Sequence, residues 1–113
     1  MYKIEAIIRP HRLEAVREAL HALDLIGMTV SDCRGEGRQR STAHSFRGSQ
    51  YSHGLEPRVK IDIILGAEQL EPAISAIQTA ASTGEVGDGK IIAYKLDQVV
   101  RIRTNERGDS ALH

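Results

Sequence analysis

Tryptophan is absent, phenylalanine occurs once, and three tyrosines complete the aromatic set. Surfaces that hold single-stranded nucleic acid stack bases on several aromatic platforms, so that class lacks its material here. Cysteine is as scarce: Cys33 stands alone, which excludes a disulfide framework and points to a reducing compartment. At the edge of a strand pattern it reads as a small half-buried side chain, not as a nucleophile. Net charge is also lacking, since 15 Lys and Arg balance 15 Asp and Glu. No bulk field then draws the chain to nucleic acid or membrane, and charge-driven binding must be local. No apolar run approaches the ~18 residues of a membrane span, and a strand pattern begins at once, so a soluble cytoplasmic protein without membrane insertion is expected. His11, His21, His44, His53 and His113 show no metal-site spacing on one element. A length of 113 residues allows one domain with a single modest core.

What is present is strongly patterned. Tyr2, Ile4, Ala6 and Ile8 alternate with Lys3, Glu5, Ile7 and Arg9, a strand with one buried and one mixed face. Pro10 suits the first turn of a helix. Leu13, Val16, Leu20 and Leu23 follow at spacings of three, four and three, an apolar stripe on a charged helix. Gly27 turns the chain into a second strand from about Met28 to Arg34. A third strand buries Val59, Ile61, Ile63 and Leu65 and directs Arg58, Lys60, Asp62 and Ile64 the other way. Gly66 breaks it, and Glu68, Glu71 and Pro72 fall in the first turn of a second helix. Leu70, Ile74 and Ile77 form its stripe, with Ala73, Ala80 and Ala81 allowing close packing, and Thr83-Gly84 ends it. Ile91 to Leu96 is a fourth strand and Val99 to Arg103 a short extended piece. The polar tail from Thr104 is expected to fray unless a partner holds it.

Two strand–helix–strand halves interleave into a ferredoxin-like βαββαβ sandwich, a four-stranded antiparallel sheet with both helices on one face. The opposite face mixes Ile7 and Ile64 with charged residues, too apolar for water and too polar for a core. Burial against copies of the same chain is expected. Between the second and third strands, Gly35 to Pro57 carries no apolar periodicity, four glycines, and isolated Phe46 and Tyr51. So long an excursion in a compact domain implies a task for it. Its composition predicts an arm that is mobile when free and ordered on binding.

Chemistry-bearing residues gather at two further places. In TGEVGDGK, residues 83–90, Gly87 and Gly89 bracket Asp88, so that successive backbone N–H groups can turn toward one anion, with Lys90 adding charge. A plain tight turn explains the same run equally well, because the spacing differs from that of the nucleotide-hydrolase phosphate loop. Arg101 and Arg103, at i and i+2 of an extended segment, would project from one face, and a polyanion such as a triphosphate would bridge them. Arg38 adds a third basic contact, and Gln39 a neutral oxygen donor suited to magnesium. Neither paired carboxylates nor a serine–histidine arrangement emerges, so the chain is not read as an enzyme.

These residues also carry a resemblance. KIEAIIRP at 3–10, GMTVSD at 27–32, GRQ at 37–39, RGSQY at 47–51, TGEVGDGKI at 83–91 and RIRTNERG at 101–108 resemble the motifs of the PII signal-transduction proteins, over essentially the whole chain. The resemblance implies a single PII domain over residues 1–113. Its T-loop would span about 37–55, its B-loop about 82–90 and its C-terminal loop about 97–113. It also implies a homotrimer binding ATP or ADP in clefts between subunits. Ile7, Thr29, Asp62 and Ile64 would line the nucleobase and ribose side. Gly37, Arg38, Gly87, Asp88, Gly89 and Lys90, with Arg101 and Arg103 of the adjoining subunit, would hold the phosphates. Gln39 would ligate Mg2+, which in the family bridges ATP and 2-oxoglutarate, and Arg58 would meet the far carboxylate. Tyr51 matches the position uridylylated, and Ser49 the one phosphorylated, in family members. The T-loop would dock on a target such as an ammonium channel, another transporter or a metabolic enzyme. Departures from the usual pattern concentrate there: Arg58 stands for lysine, Glu36 for phenylalanine, and Phe46, Gln50, Ser52, His53 and Gly54 differ as well. A divergent relative that serves another transporter or inorganic-carbon uptake, sensing adenylates and bicarbonate, is the alternative.

Overall fold

The computed structural model describes residues 1–37 and 54–112. Four strands, β1 (Tyr2–Ile8), β2 (Met28–Gly35), β3 (Glu56–Leu65) and β4 (Gly89–Lys95), form one antiparallel sheet in the order β2-β3-β1-β4. Helices α1 (Leu13–His21) and α2 (Ala67–Ala81) follow β1 and β3. This is the βαββαβ sandwich expected from the pattern, and β1 and β3 sit at the sheet's centre because they alternate most cleanly. Ile4, Ala6 and Ile8 of β1 and Val59, Ile61, Ile63 and Leu65 of β3 are all buried, packed with Val16 and Leu20 of α1 and Ala73, Ile77 and Ala81 of α2. Each large aliphatic so buried is worth about 1.5–3 kcal/mol. No polar or charged side chain is buried among the described residues.

Four local expectations need correction. Pro10 opens a separate 3-10 turn, Pro10–Arg12, and α1 ends at His21. Asp24 takes a left-handed φ of 61°, and the amides of Asp24 and Leu25 bond the carbonyls of His21 and Leu20. That paired closure places Leu25 beside Leu20 in the core. Leu23, expected to extend the stripe, is 39% exposed instead. In α2, Gly66 caps the start and its amide bonds the Gln69 side chain at 3.0 Å, so Glu71 and Pro72 belong to the second turn. The helix stops at Ala81, one residue before the extended Ser82.

The larger corrections lie at the C-terminus. Val99 to Arg103 is not an extended piece: residues 102–104 turn, Asn105 adopts φ 61°, and Val100 bridges Arg107. Asparagine tolerates the left-handed region, and Thr104 Oγ1 donates to the Glu106 carboxylate at 2.7 Å, which closes the turn. Nor is the tail frayed. The Gly108 amide bonds the Val99 carbonyl at 3.0 Å and a 3-10 helix follows, Gly108–Ala111. Its end brings the half-buried Ala111 and Leu112 beside Met28, Thr29 and Ile64.

Candidate functional site

Cross-strand register fixes what the uncovered sheet face presents, because directly paired residues point the same way. Thr29, Asp62, Glu5 and Ile92 form one row across it, and Lys60, Ile7 and Lys90 form another with Ser31. Ile64, Ile92 and Tyr94 are each about two-fifths exposed on this face. Two polar contacts run within its plane. Lys3 Nζ lies 3.7 Å from Asp62 Oδ1, and the Tyr94 hydroxyl donates to Glu5 Oε2 at 2.9 Å. The Tyr94 hydroxyl first, then the Asp62 carboxylate, hold the Lys3 ammonium above its ordinary pKa.

At one end of the face is a cavity of about 490 Å³, where the root of the long loop meets the 83–90 loop. Ile7, Gly35, Gly37, Arg58, Gly87, Asp88, Gly89 and Lys90 line it, together with Glu36, Glu56 and Glu85. Six residues expected to contact a nucleotide thus come together with Arg58. Gly89 opens β4 with φ 109°, and a side chain there would strike the Ile7 carbonyl oxygen. The loop and β1 touch backbone to backbone at this point, which only glycine permits.

Asp88 itself does not face an incoming anion. Its carboxylate is taken up inside the loop, accepting from the Thr83 amide at 2.8 Å, the Gly84 amide at 3.0 Å and the Thr83 hydroxyl. Arg9 Nε donates to it at 3.0 Å. The Thr83 hydroxyl and amide, then the Arg9 guanidinium and Gly84 amide, hold the carboxyl well below the usual carboxylate range. Sequence reasoning left Arg9 as an outward strand residue and Thr83 as a helix terminator. The available signal was the register: Ile8 opposite Gly89 sets Arg9 beside Asp88.

A second cavity, about 580 Å³, lies further along the face. Thr29, Asp62 and Ile64 line it with Lys3, Gly27, Met28, Val99, Ala111 and Leu112. Asp62 Oδ1 is buried there without a hydrogen-bond partner. That oxygen is turned to the Lys3 ammonium, 3.7 Å away, and the Thr29 hydroxyl with an aliphatic wall gives the cavity a mixed polar and apolar lining.

Arg101 and Arg103 occupy the turn near this second cavity, not a strand, so the expected side-by-side projection at i and i+2 fails. Arg101 Nε lies 3.4 Å from Glu106 Oε1, and Nη2 reaches the Ser110 carbonyl at 3.4 Å. Arg103 is exposed, and Ile102 between them is wholly exposed. Arg38, Gln39, Ser49 and Tyr51, the basic contact, metal ligand and modification positions, lie outside the described residues.

Comparison with known proteins adds to this geometry. A family model described as "Nitrogen regulatory protein P-II" matches residues 1–106. The chain is 47% identical over 112 residues to a nitrogen regulatory protein P-II of Rhodospirillum rubrum, covering 99% of this chain and all of that one. It is 44% identical, with the same coverage, to the nitrogen regulatory protein GlnK of Escherichia coli. Among solved structures it resembles Arabidopsis thaliana PII bound to citrate, with a TM-score of 0.79 and 38% identity, over 98% of this chain and 88% of the other.

Proposed function

The chain belongs to the nitrogen regulatory protein P-II family, and on that premise we propose that it is a cytoplasmic, homotrimeric sensor of ATP and ADP. The trimer encloses the nucleotide between neighbouring copies. Ile7, Thr29, Asp62 and Ile64 meet its nucleoside part, while Gly37, Arg38, the 87–90 run and a neighbour's Arg101 and Arg103 meet the phosphates. Asp88 contributes through backbone, since its carboxylate is already engaged. Gln39 would supply a neutral oxygen to Mg2+, and Arg58, beyond the far root of the loop between β2 and β3, would meet a carboxylate of 2-oxoglutarate. The ordered or released loop then regulates a target protein such as an ammonium channel, another transporter or a metabolic enzyme. It acts as a regulator and not as a catalyst.

One observation carries this reading. Gly37 at the loop's first root and Arg58 beyond its second share a single cavity with the anion-suited loop at 87–90. A ligand there touches both roots, and a coupling of only ~1–3 kcal/mol alters partner affinity by about one to two orders of magnitude. Arg58 and Lys90 supply a guanidinium and an ammonium among the carboxylates of Glu36, Glu56 and Glu85, and the glycine backbone admits close approach.

Calorimetry tests it. Purified protein is titrated with ATP, ADP and adenosine, and then with 2-oxoglutarate at saturating Mg-ATP. Arg103→Ala should weaken ATP by about tenfold or more and adenosine hardly at all, because a guanidinium–phosphate bond is charge-assisted. Arg58→Ala should abolish the 2-oxo acid response while leaving ATP affinity unchanged. Wild-type protein that binds Mg-ATP but ignores 2-oxoglutarate refutes the conventional sensor, and a response to bicarbonate would establish the alternative. A folded monomer by light scattering would refute the intersubunit site.

A further inference from the structure

We propose that Arg9 is a positioning residue for the anion-binding loop. It holds residues 83–88 in the ligand-ready shape through Asp88 and never touches the ligand. The proposal rests on the phosphate-binding reading of this loop. Arg9 follows the last residue of β1, and its guanidinium crosses to the loop in two directions: Nε to Asp88 Oδ1 at 3.0 Å and Nη2 to the Val86 carbonyl at 2.9 Å. Both charged side chains are about three-quarters sheltered, Arg9 21% and Asp88 25% exposed. The Thr83 hydroxyl shares Oδ1 with Arg9, the amides of Thr83 and Gly84 take Oδ2, and the Glu85 amide bonds back to the Thr83 hydroxyl at 3.2 Å. The amides of residues 83–85 are therefore engaged within the loop. Those that meet an anion must come from the residues after Glu85, whose placement is set by the Val86 carbonyl that Arg9 grips.

Arg9 has a second consequence. A carboxylate at the centre of a phosphate-binding loop repels the phosphate unless its charge is offset. The Arg9 guanidinium lies in direct contact with it, whereas Lys90 and Arg58 line the neighbouring cavity. Removing Arg9 would loosen the loop and also expose the ligand to an unneutralised Asp88. Removing Asp88 as well would relieve the repulsion while leaving the loop loose. The two residues must therefore behave non-additively.

Wild type, Arg9→Lys, Arg9→Gln, Asp88→Asn and the Arg9→Gln/Asp88→Asn double variant are compared by two measurements. Hydrogen exchange follows residues 82–88 in ligand-free protein, with β1 and β3 amides as the folding control. Calorimetry measures ATP, ADP and adenosine. Arg9→Gln should accelerate exchange in 82–88 about tenfold with β1 and β3 unchanged, the loss expected for charged hydrogen bonds. It should weaken ATP about tenfold, ADP less and adenosine under about twofold, because the effect scales with ligand charge. Arg9→Lys should recover part of the ATP loss, since it restores charge but not the two-direction grip. The double variant should bind ATP no more weakly than Arg9→Gln. Unchanged loop exchange in Arg9→Gln overturns the proposal, as do equal losses for ATP and adenosine or additive losses in the double variant. Should wild-type protein bind no ATP at all, the phosphate reading fails separately, and loop exchange alone decides whether Arg9 sets the loop.

Discussion

Replacing Gly89 with alanine probes the backbone approach between β4 and β1. A Cβ on Gly89 would overlap the Ile7 carbonyl oxygen and lie 2.8 Å from its carbonyl carbon, at φ 109°. Both atoms are backbone of a central strand, so no side-chain rotation relieves the overlap. Gly84 provides the internal control, with φ 84° and nothing within 4 Å of its ideal Cβ. Gly84→Ala should cost only the left-handed conformation, about 1–2 kcal/mol. Gly89→Ala carries a similar conformational cost and also forces β4 away from β1 where Ile8 faces Gly89 and Ile7 faces Lys90. Losing that end of the ladder, at ~1 kcal/mol per bond, brings the total to about 3–5 kcal/mol. A small domain has roughly 5–15 kcal/mol in all, so the variant stays folded but visibly weakened. Urea unfolding followed by far-ultraviolet circular dichroism measures this, at one fixed protein concentration because self-association would shift the midpoint. With a urea slope of about 1.5 kcal/mol/M, the midpoint should fall by roughly 2–3 M for Gly89→Ala and by about 1 M for Gly84→Ala. Equal midpoints for the two variants would refute the steric argument.

Asp88 should resist protonation. Its pKa is depressed, so its contribution to the loop is fully present above the ordinary carboxylate value of 3.8 and is lost only as pH falls toward the lower folded value. Carboxyl-carbon NMR should show Asp88 still largely ionised at pH 3, where an ordinary carboxyl is mostly protonated, and a midpoint near 3.8 would contradict the hydrogen bonds from Thr83 and Arg9. Ile102 is fully exposed on the turn that carries Arg101 and Arg103, so Ile102→Asp should weaken self-association with an unchanged dichroism spectrum. Light scattering that shows the same mass for both proteins over a dilution series would place Ile102 outside any contact between copies.

The fold was legible because its core strands and helices obey simple periods. Alternation in Tyr2–Ile8 and Val59–Leu65 named every core residue of the two central strands, and the 3.6-residue period found Val16, Leu20 and Ile77. Chain-closing geometry was less visible. The left-handed Asp24 and Asn105 lack the glycine that usually marks such positions, so the end of α1 and the turn after Arg101 were misread. At the candidate site, residue types along one segment revealed Gly87, Gly89 and Lys90. Arg9 escaped because its partner lies 79 residues away, and only strand register brings the two together. The tail escapes for a related reason: its order comes from turn hydrogen bonds, Gly108 amide to the Val99 carbonyl and Asn105 amide to the Arg101 carbonyl, that a polar composition does not announce.

Two cavities with different linings on one uncovered face would let a second copy complete the proposed site. Arg58 and Lys90 line one, Asp62 and Thr29 the other, and no residue lines both. Each is a half-open wall, whereas a bound small molecule is usually enclosed over some 70–90% of its surface. On the proposed reading, a head-to-tail contact that set the cavity of Arg58 and Lys90 in one copy against the cavity of Thr29 and Asp62 in the next would supply the missing wall, and a rotation that closes would make a ring of such contacts. Ligand binding and self-association would then reinforce one another by mass action. Within such a site the two arginines of the turn cannot contribute equally. Arg101 already faces Glu106 and the Ser110 carbonyl, so a phosphate gains there only the difference between one set of acceptors and another. Arg103 is exposed on the same turn and exchanges water for phosphate, which makes it the more sensitive of the two to the charge of the ligand.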